Sequence, residues 1–201
     1  MYQLRQGRRL ILASASPRRR EMLAHLGLEF TLAPADIDET MLPGEEAGDA
    51  AQRLAAAKGA AAAGDWPQDA VLSADTLVVH GETILGKPAD DDQSRAMLNQ
   101  LSGNEHQVVT GYCLYLDGSK ELGLARSLVH FRRLSPAEIE AYVSSGEGRD
   151  KAGAYAVQGL AAAFVESVEG SYTNVVGLPL AALVKLMLRH EVIEPVKGKK
   201  G

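Results

Sequence analysis

The segment Val71–His80 (VLSADTLVVH) constrains the fold more than any other in the chain. As a strand it presents Val71, Ser73, Asp75, Leu77 and Val79 on one side and Leu72, Ala74, Thr76, Val78 and His80 on the other. Both sides are largely apolar, so both must be covered, as in an α/β layer protein. One residue breaks the pattern. A carboxylate at Asp75 cannot sit in such a strand unless it is paired or binds a metal. Asp75 is therefore either a functional acid (metal ligand or base for water) or a structural carboxylate paired with a cation. Alternation sends Asp75 and Thr76 to opposite faces.

Around this strand the sequence alternates between strand and helix signals. Arg9–Ser14 reads as a buried strand, and Ser16-Pro17 as the cap and first residue of a helix that stops at Gly27. Glu29–Ala35 reads as a second strand, Asp36–Gly48 as an acidic loop turning at Pro43-Gly44, and Asp49–Gly64 as an alanine-rich helix. Gly81 suggests a hairpin into Thr83–Leu85, and Asp90–Leu101 a helix with acids in its first turn. Val108–Leu116 and Gly123–Phe131 read as an antiparallel pair joined by Asp117-Gly118. Ser135–Glu138 has the pattern of a capping box for a helix reaching Ser145. Ala161–Val168 reads as a late strand, Leu178–His190 as the closing helix, and the basic end from Lys197 to Gly201 as a fraying tail. No repeat or linker divides the chain. The expectation is one mixed α/β domain over residues 1–201, with room for two lobes around a cleft.

Charge narrows the function classes. Twenty-one Lys and Arg against 26 Asp and Glu give a net charge of −5, which disfavours a general grip on a nucleic-acid polymer or an anionic membrane. No stretch approaches the roughly 20 apolar residues of a membrane span. Cys113 is the only cysteine, so an internal disulfide and an all-cysteine metal cage are excluded, and a cytoplasmic setting is expected. Its apolar surroundings favour a core position over a nucleophile. The five histidines lack metal-ligand spacing, and no GxSxG elbow or P-loop is present.

If the substrate is anionic, its cations must be gathered locally. Arg18, Arg19 and Arg20 stand in the first turn of the first helix, where the dipole already disfavours them. They are either an anion site built with the helix's free N–H groups or three solvated side chains covering apolar surface. Gly86-Lys87-Pro88 holds a lysine in a rigid turn, and Asp150–Gly159 is a shaped glycine-containing loop whose Gln158 can both donate and accept.

Taken in order, LASASPRR (Leu12–Arg19), Asp38-Glu39, SADT (Ser73–Thr76), GKP (Gly86–Pro88), LSG (Leu101–Gly103) with His106 and Thr110-Gly111, DKAGAYAVQG (Asp150–Gly159) and GSYTNVVGLPL (Gly170–Leu180) resemble the Maf family of nucleoside triphosphate pyrophosphatases. The resemblance implies an elongated, twisted mixed sheet flanked by helices. It also implies hydrolysis of a triphosphate between the α- and β-phosphates with a divalent metal, Mg²⁺ or Mn²⁺. Asp75 matches the catalytic aspartate and a metal ligand, and Asp38 a second acid at the metal. Ser14, Arg18, Arg19, Lys58, Thr76, Lys87 and Gln158 match substrate-binding positions, with Arg18, Thr76 and Gln158 among those that set specificity. The arginine after Ser-Pro and the glutamine before Gly159 resemble the subgroup acting on dTTP and UTP. The alternatives are the 7-methyl-GTP subgroup, or a nucleotide-binding regulator of cell division or septum formation with incidental hydrolysis. Similar proteins are often homodimers, and the expected partner is a single nucleotide.

Overall fold

A computed structural model describes residues 1–196, so the expected fraying of residues 197–201 lies outside the described residues. In chain order the strands are β1 (Tyr2–Leu4), β2 (Leu10–Leu12), β3 (Thr31–Leu32), β4 (Ala70–His80), β5 (Thr83–Leu85), β6 (Glu105–Leu116), β7 (Ser119–Phe131), β8 (Val165–Glu169) and β9 (Ile193–Pro195). The helices are α1 (Pro17–His25), α2 (Ala47–Ala63), α3 (Asp91–Leu101), α4 (Pro136–Ser145), α5 (Tyr172–Val176) and α6 (Leu180–Arg189). Two 3₁₀ segments, Ala152–Ala154 and Leu160–Phe164, lie between α4 and β8. Among the described residues the main sheet has the order β3-β2-β4-β6-β7-β8 with β5 on β4, and β1 pairs with β9 in a separate two-stranded sheet. Strands β2, β3 and β4 pair in parallel, and β5 returns antiparallel on β4. This is a mixed sheet accompanied by helices, as the alternation of signals implies.

The chain divides into two compact units. The first comprises Met1–Asp75, Gly111–Leu124 and Gly177 onward, and the second Thr76–Thr110 and Ala125–Val176. In the first unit, residues Ala70–Asp75 of β4 are all buried. Ile11, Ala13, Ala62 and Val71 form a core joined by Trp66 and Tyr115. The guanidinium of Arg9 stacks over Trp66 at 5.6 Å and clasps Asp69 with two bonds of 2.8 Å. In the second unit the core contains an aromatic cluster: Phe131 meets His106, Tyr155 and Phe164 edge-on at centroid distances of 5.0, 4.9 and 6.1 Å.

Local chemistry accounts for most element boundaries. Ser16 accepts from Arg19 N–H at the start of α1, with Pro17 as first residue. Asp90 accepts from Gln93 N–H at the start of α3, and Ser135 and Glu138 complete a reciprocal capping box at α4. The β6–β7 turn has φ of 51° at Asp117 and 75° at Gly118, the paired positive values of a type I′ hairpin.

Two expected strands are corrected. The β3 ladder covers only Thr31–Leu32 of the expected Glu29–Ala35, and Pro34, with no N–H to donate, lies just beyond its end. Ala161–Val168 opens as a 3₁₀ turn rather than a strand. Its alanine run has little β preference, and strand geometry begins only at Val165. Cys113 is buried in β6, and burial pushes its thiol up to about 11, consistent with a core residue. No helix of the described residues is long and apolar enough to cross a membrane.

Candidate active site

In the first unit, β2 pairs in parallel with Ala70–Leu72 of β4, and the chain leaves β2 through Ala13 and Ser14 towards α1. Arg19 of α1 reaches back to both segments. Its Nε donates to the Gly177 carbonyl at 2.8 Å, and one terminal nitrogen donates to the Ala74 carbonyl at 2.7 Å and to Ser14 Oγ at 3.3 Å. Ser14 Oγ also accepts from Ser16 N–H at 3.2 Å. The arginine at this helix N-terminus is thus a strut tying α1 to the middle of β4, one residue before Asp75. Burial lowers the Arg19 guanidinium from its ordinary value, Asp75 opposes that shift, and Arg18 adds to it as a neighbouring like charge. Arg18 is half-buried and Arg20 exposed, so the three arginines are not one solvated cluster.

The partner of Asp75 comes from α2. This helix lies tight against β4 because Gly59 has no side chain; a Cβ there would stand 2.7 Å from Ser73 Oγ. Ser73 Oγ in turn donates to the Ala55 carbonyl at 2.7 Å. At that spacing the neighbouring Lys58 reaches over the strand. Its Nζ meets Asp75 Oδ1 at 2.5 Å and Glu39 Oε1 at 2.6 Å, with the lysine and aspartate side chains 12% and 10% exposed. The anomalous carboxylate therefore has a cation, and that cation is shared with a second acid.

Glu39 is the residue that the sequence reading missed in this role. Of the adjacent acids, Asp38 was expected at the metal. In the structure Asp38 is exposed, and its Oδ1 accepts from Thr40 N–H at 2.9 Å and Thr40 Oγ1 at 2.5 Å, which holds the carboxyl below its usual range. The Asp38 carboxylate is committed to Thr40, whereas that of Glu39 reaches Lys58. The motif marked both residues, but nothing local identified which one.

Two carboxylates converging on one ammonium supply the hard oxygen chemistry that Mg²⁺ or Mn²⁺ takes, so Asp75 and Glu39 fit a divalent ion. Among the described residues no group of three or more His, Cys, Asp or Glu side chains is arranged to hold one. A substrate oxygen or water would complete such a shell.

The remaining candidates belong to the second unit. Thr76 Oγ1 lies 3.0 Å from Thr110 Oγ1, which donates to the Asn174 carbonyl at 3.3 Å. Asn174 is fully buried and donates to the Val108 carbonyl and Ser127 Oγ, both at 3.0 Å. Thr76 thus rests on a fixed polar layer. Lys87 is exposed in the loop after β5, where Gly86 accepts from Gly153 N–H at 3.1 Å. That bond joins the lysine loop to the segment leading to Gln158. Gln158 is exposed between the two 3₁₀ turns.

Fold and site together describe a mixed α/β protein with a carboxylate–ammonium–carboxylate centre midway along β4. Its residues 9–190 match the model of the Maf-like protein family, and the chain belongs to that family. Among its relatives is a dTTP/UTP pyrophosphatase of Hahella chejuensis, 54% identical over 183 residues, covering 90% of this chain and 91% of that protein. A second, from Anaeromyxobacter dehalogenans, carries the same name at 52% identity over 90% of this chain and 93% of that one. The one from Shewanella oneidensis is 48% identical over 92% and 99%. Among solved structures, a HAM1 protein from Coxiella burnetii shares the fold, with a TM-score of 0.52 and 16% identity over 90% of this chain and 99% of that one.

Proposed function

We propose that the protein hydrolyses dTTP and UTP to the monophosphate and pyrophosphate. The observation that carries this reading is the Lys58 ammonium held between Asp75 and Glu39, beside the Ala74 carbonyl of β4 that Arg19 bonds. The names of relatives about half identical over nine-tenths of the chain point to the same substrates.

A triphosphate bears close to four negative charges, so water can approach its α-phosphorus only when they are offset. Arg18, Lys58 and Lys87 are assigned to the phosphates, and charge developing on the departing pyrophosphate is stabilised by such cations. Ser14 and Arg19 fix the stretch of β4 next to Asp75. Asp75, oriented by its bond to Lys58, accepts the proton of the attacking water as the new oxygen–phosphorus bond forms and the bond to pyrophosphate breaks. Asp75 and Glu39, with Asp38 close in sequence, would hold Mg²⁺ or Mn²⁺. Such an ion supplies charge neutralisation on the phosphate oxygens. On the second unit, Gln158 and Thr76 are assigned to the base: an amide can donate to O4 and accept from N3–H, the edge common to uracil and thymine. A cytoplasmic location and a homodimer complete the proposal; cell fractionation and light scattering of the purified protein test them.

The deciding experiment measures pyrophosphate release from each common nucleoside triphosphate and from 7-methyl-GTP, with Mg²⁺ or Mn²⁺. UTP and dTTP are expected to lead. Asp75→Asn is expected to lower kcat on the order of 10³-fold with a much smaller change in KM, as for a group acting chiefly in the transition state. Tight nucleotide binding without release would instead favour a regulator of cell division.

A further inference from the structure

The segment that carries Gln158 is fastened on both sides by one pair of side chains. Tyr142, in the last turn of α4, is buried and packs edge-on against Phe164 at 5.2 Å. Its Oη accepts from Ala156 N–H at 3.1 Å and donates to Glu147 Oε1 at 3.0 Å. The other oxygen of that carboxylate accepts from Leu160 N–H at 3.0 Å. Ala156 and Leu160 stand two residues before and two after Gln158, and Gly159 N–H closes the turn onto the Ala156 carbonyl at 3.0 Å.

The closeness of this arrangement is visible at Gly159. A Cβ there would lie 2.2 Å from Glu147 Oε2, so the carboxylate occupies the space a side chain would need. The backbone leading in is equally constrained. Ala154 is fully buried with φ of 58°, a left-handed conformation that an alanine rarely adopts and that persists only where its surroundings over-determine it. Gln158 itself is exposed, so its amide takes its position from the backbone beneath it. A hydrogen-bonding group that must meet a base edge works only when held to about 0.5 Å.

We propose that Tyr142 and Glu147 act as a positioning clamp that holds Gln158 at the pitch required for uracil and thymine, and so set the preference for UTP and dTTP over CTP. Neither residue need touch the substrate. The proposal rests on the assignment of Gln158 to the base, and its test separates the two.

The test compares kcat and KM for UTP and CTP in the wild type, Tyr142→Phe, Glu147→Gln and Gln158→Glu. Tyr142→Phe keeps the ring against Phe164 and removes only the oxygen. The expected result is a fall of about tenfold in the UTP-over-CTP ratio of kcat/KM, arising from a higher KM for UTP with kcat within about twofold, the signature of lost binding rather than lost chemistry. Glu147→Gln retains one carbonyl acceptor and should fall between wild type and Tyr142→Phe; it also serves if Tyr142→Phe folds poorly. Adding Gln158→Glu to Tyr142→Phe should lower the ratio no further than Gln158→Glu alone. An unchanged ratio in both clamp variants, with a collapsed ratio in Gln158→Glu, overturns the clamp and leaves the base assignment standing. An unchanged ratio in Gln158→Glu overturns both. Equal losses of kcat on UTP and CTP in the clamp variants would mean a merely structural role and also overturn the proposal.

Discussion

In the first unit the polar groups set into the apolar layer include charged, paired ones, whereas in the second the buried ones are neutral and share hydrogen bonds. Lys58, Asp75 and Glu39 hold opposite charges within salt-bridge distance midway along β4, and Arg19 is satisfied by two carbonyls and a hydroxyl. In the second unit His106 Nε2 and Tyr155 Oη share a bond of 2.8 Å, Asn174 joins Val108 to Ser127, and Tyr142 joins Ala156 to Glu147. A paired charge is costly to bury and has a direct use, because a phosphate or a divalent ion can exchange places with either partner. A neutral network has no such use for an anion. It holds backbone in place, which is what a loop that must present one amide requires.

The largest effect on stability should come from separating the charges. Lys58→Met removes the ammonium and leaves Asp75, 7% exposed, without a salt-bridge partner and with the fields of Arg19 and Arg53 to offset it in part. The expected loss is about 3 kcal/mol in denaturant unfolding, in the range for breaking a buried pair by removing one partner. Adding Asp75→Asn should recover most of it, since the uncompensated charge goes with it. A loss under about 1 kcal/mol, the size expected of an exposed pair, would break the contrast between the units.

How far the sequence already showed this depends on the physics of each residue. Asp75 was legible because a carboxylate in a strand with two apolar faces has few tolerable explanations, and a paired cation was one of them. The starts of α1 and α4 and the β6–β7 turn were legible because Ser-Pro, the capping box and Asp-Gly act through bonds to the next few residues. The choice of Glu39 over Asp38 was not, since it depends on which of two loop carboxylates the fold brings to Lys58. Arg19 shows the same limit. Its strut ends on Ala74 and Gly177, carbonyls that every residue possesses, so no side-chain pattern announces the contact. The pairing of β1 with β9, Tyr2 opposite Pro195, joins two ends with no local signal between them. The Tyr142–Glu147 clamp also escaped, because an ordinary helix end and a glycine-rich loop gain meaning only when folded together.

Acid should attack the second unit through His106. Burial first, and then the neighbouring His80 and His130, push its ring from 6.5 down to about 4. Its Nδ1 meets no hydrogen-bond partner among the described residues, so a proton there would be buried without an acceptor. Between those two values the unfolded chain binds a proton that the folded chain refuses. Stability therefore falls as pH drops from about 6.5 to about 4 and is unaffected by this group above that window, with a total on the order of 3 kcal/mol. Unfolding curves recorded across the window check this, and the slope should flatten in His106→Phe. An unchanged slope in that variant would place the acid sensitivity elsewhere.

The smallest expected effect tests whether the second unit's neutral bonds matter through burial or merely through their number. Ser135 is exposed; its hydroxyl accepts from Glu138 N–H at 3.3 Å and donates to Glu138 Oε2 at 2.8 Å. Arg132 and the Ser135 groups hold that carboxyl down at about 2, with Arg132 the larger cause. Water can replace either bond at this surface, so Ser135→Ala should cost about 1 kcal/mol, the usual loss for an N-cap, seen as a small fall in Tm. The cap acts on α4, and Tyr142 lies on that helix two turns further on. If the clamp is set by buried contacts at Tyr142 and Glu147, fraying the distant first turn should leave the UTP-over-CTP ratio untouched while Tm falls. A ratio that moved with Ser135→Ala would show that the pitch of Gln158 follows the stability of the whole helix, and the distinction between a holding network and a general scaffold would dissolve.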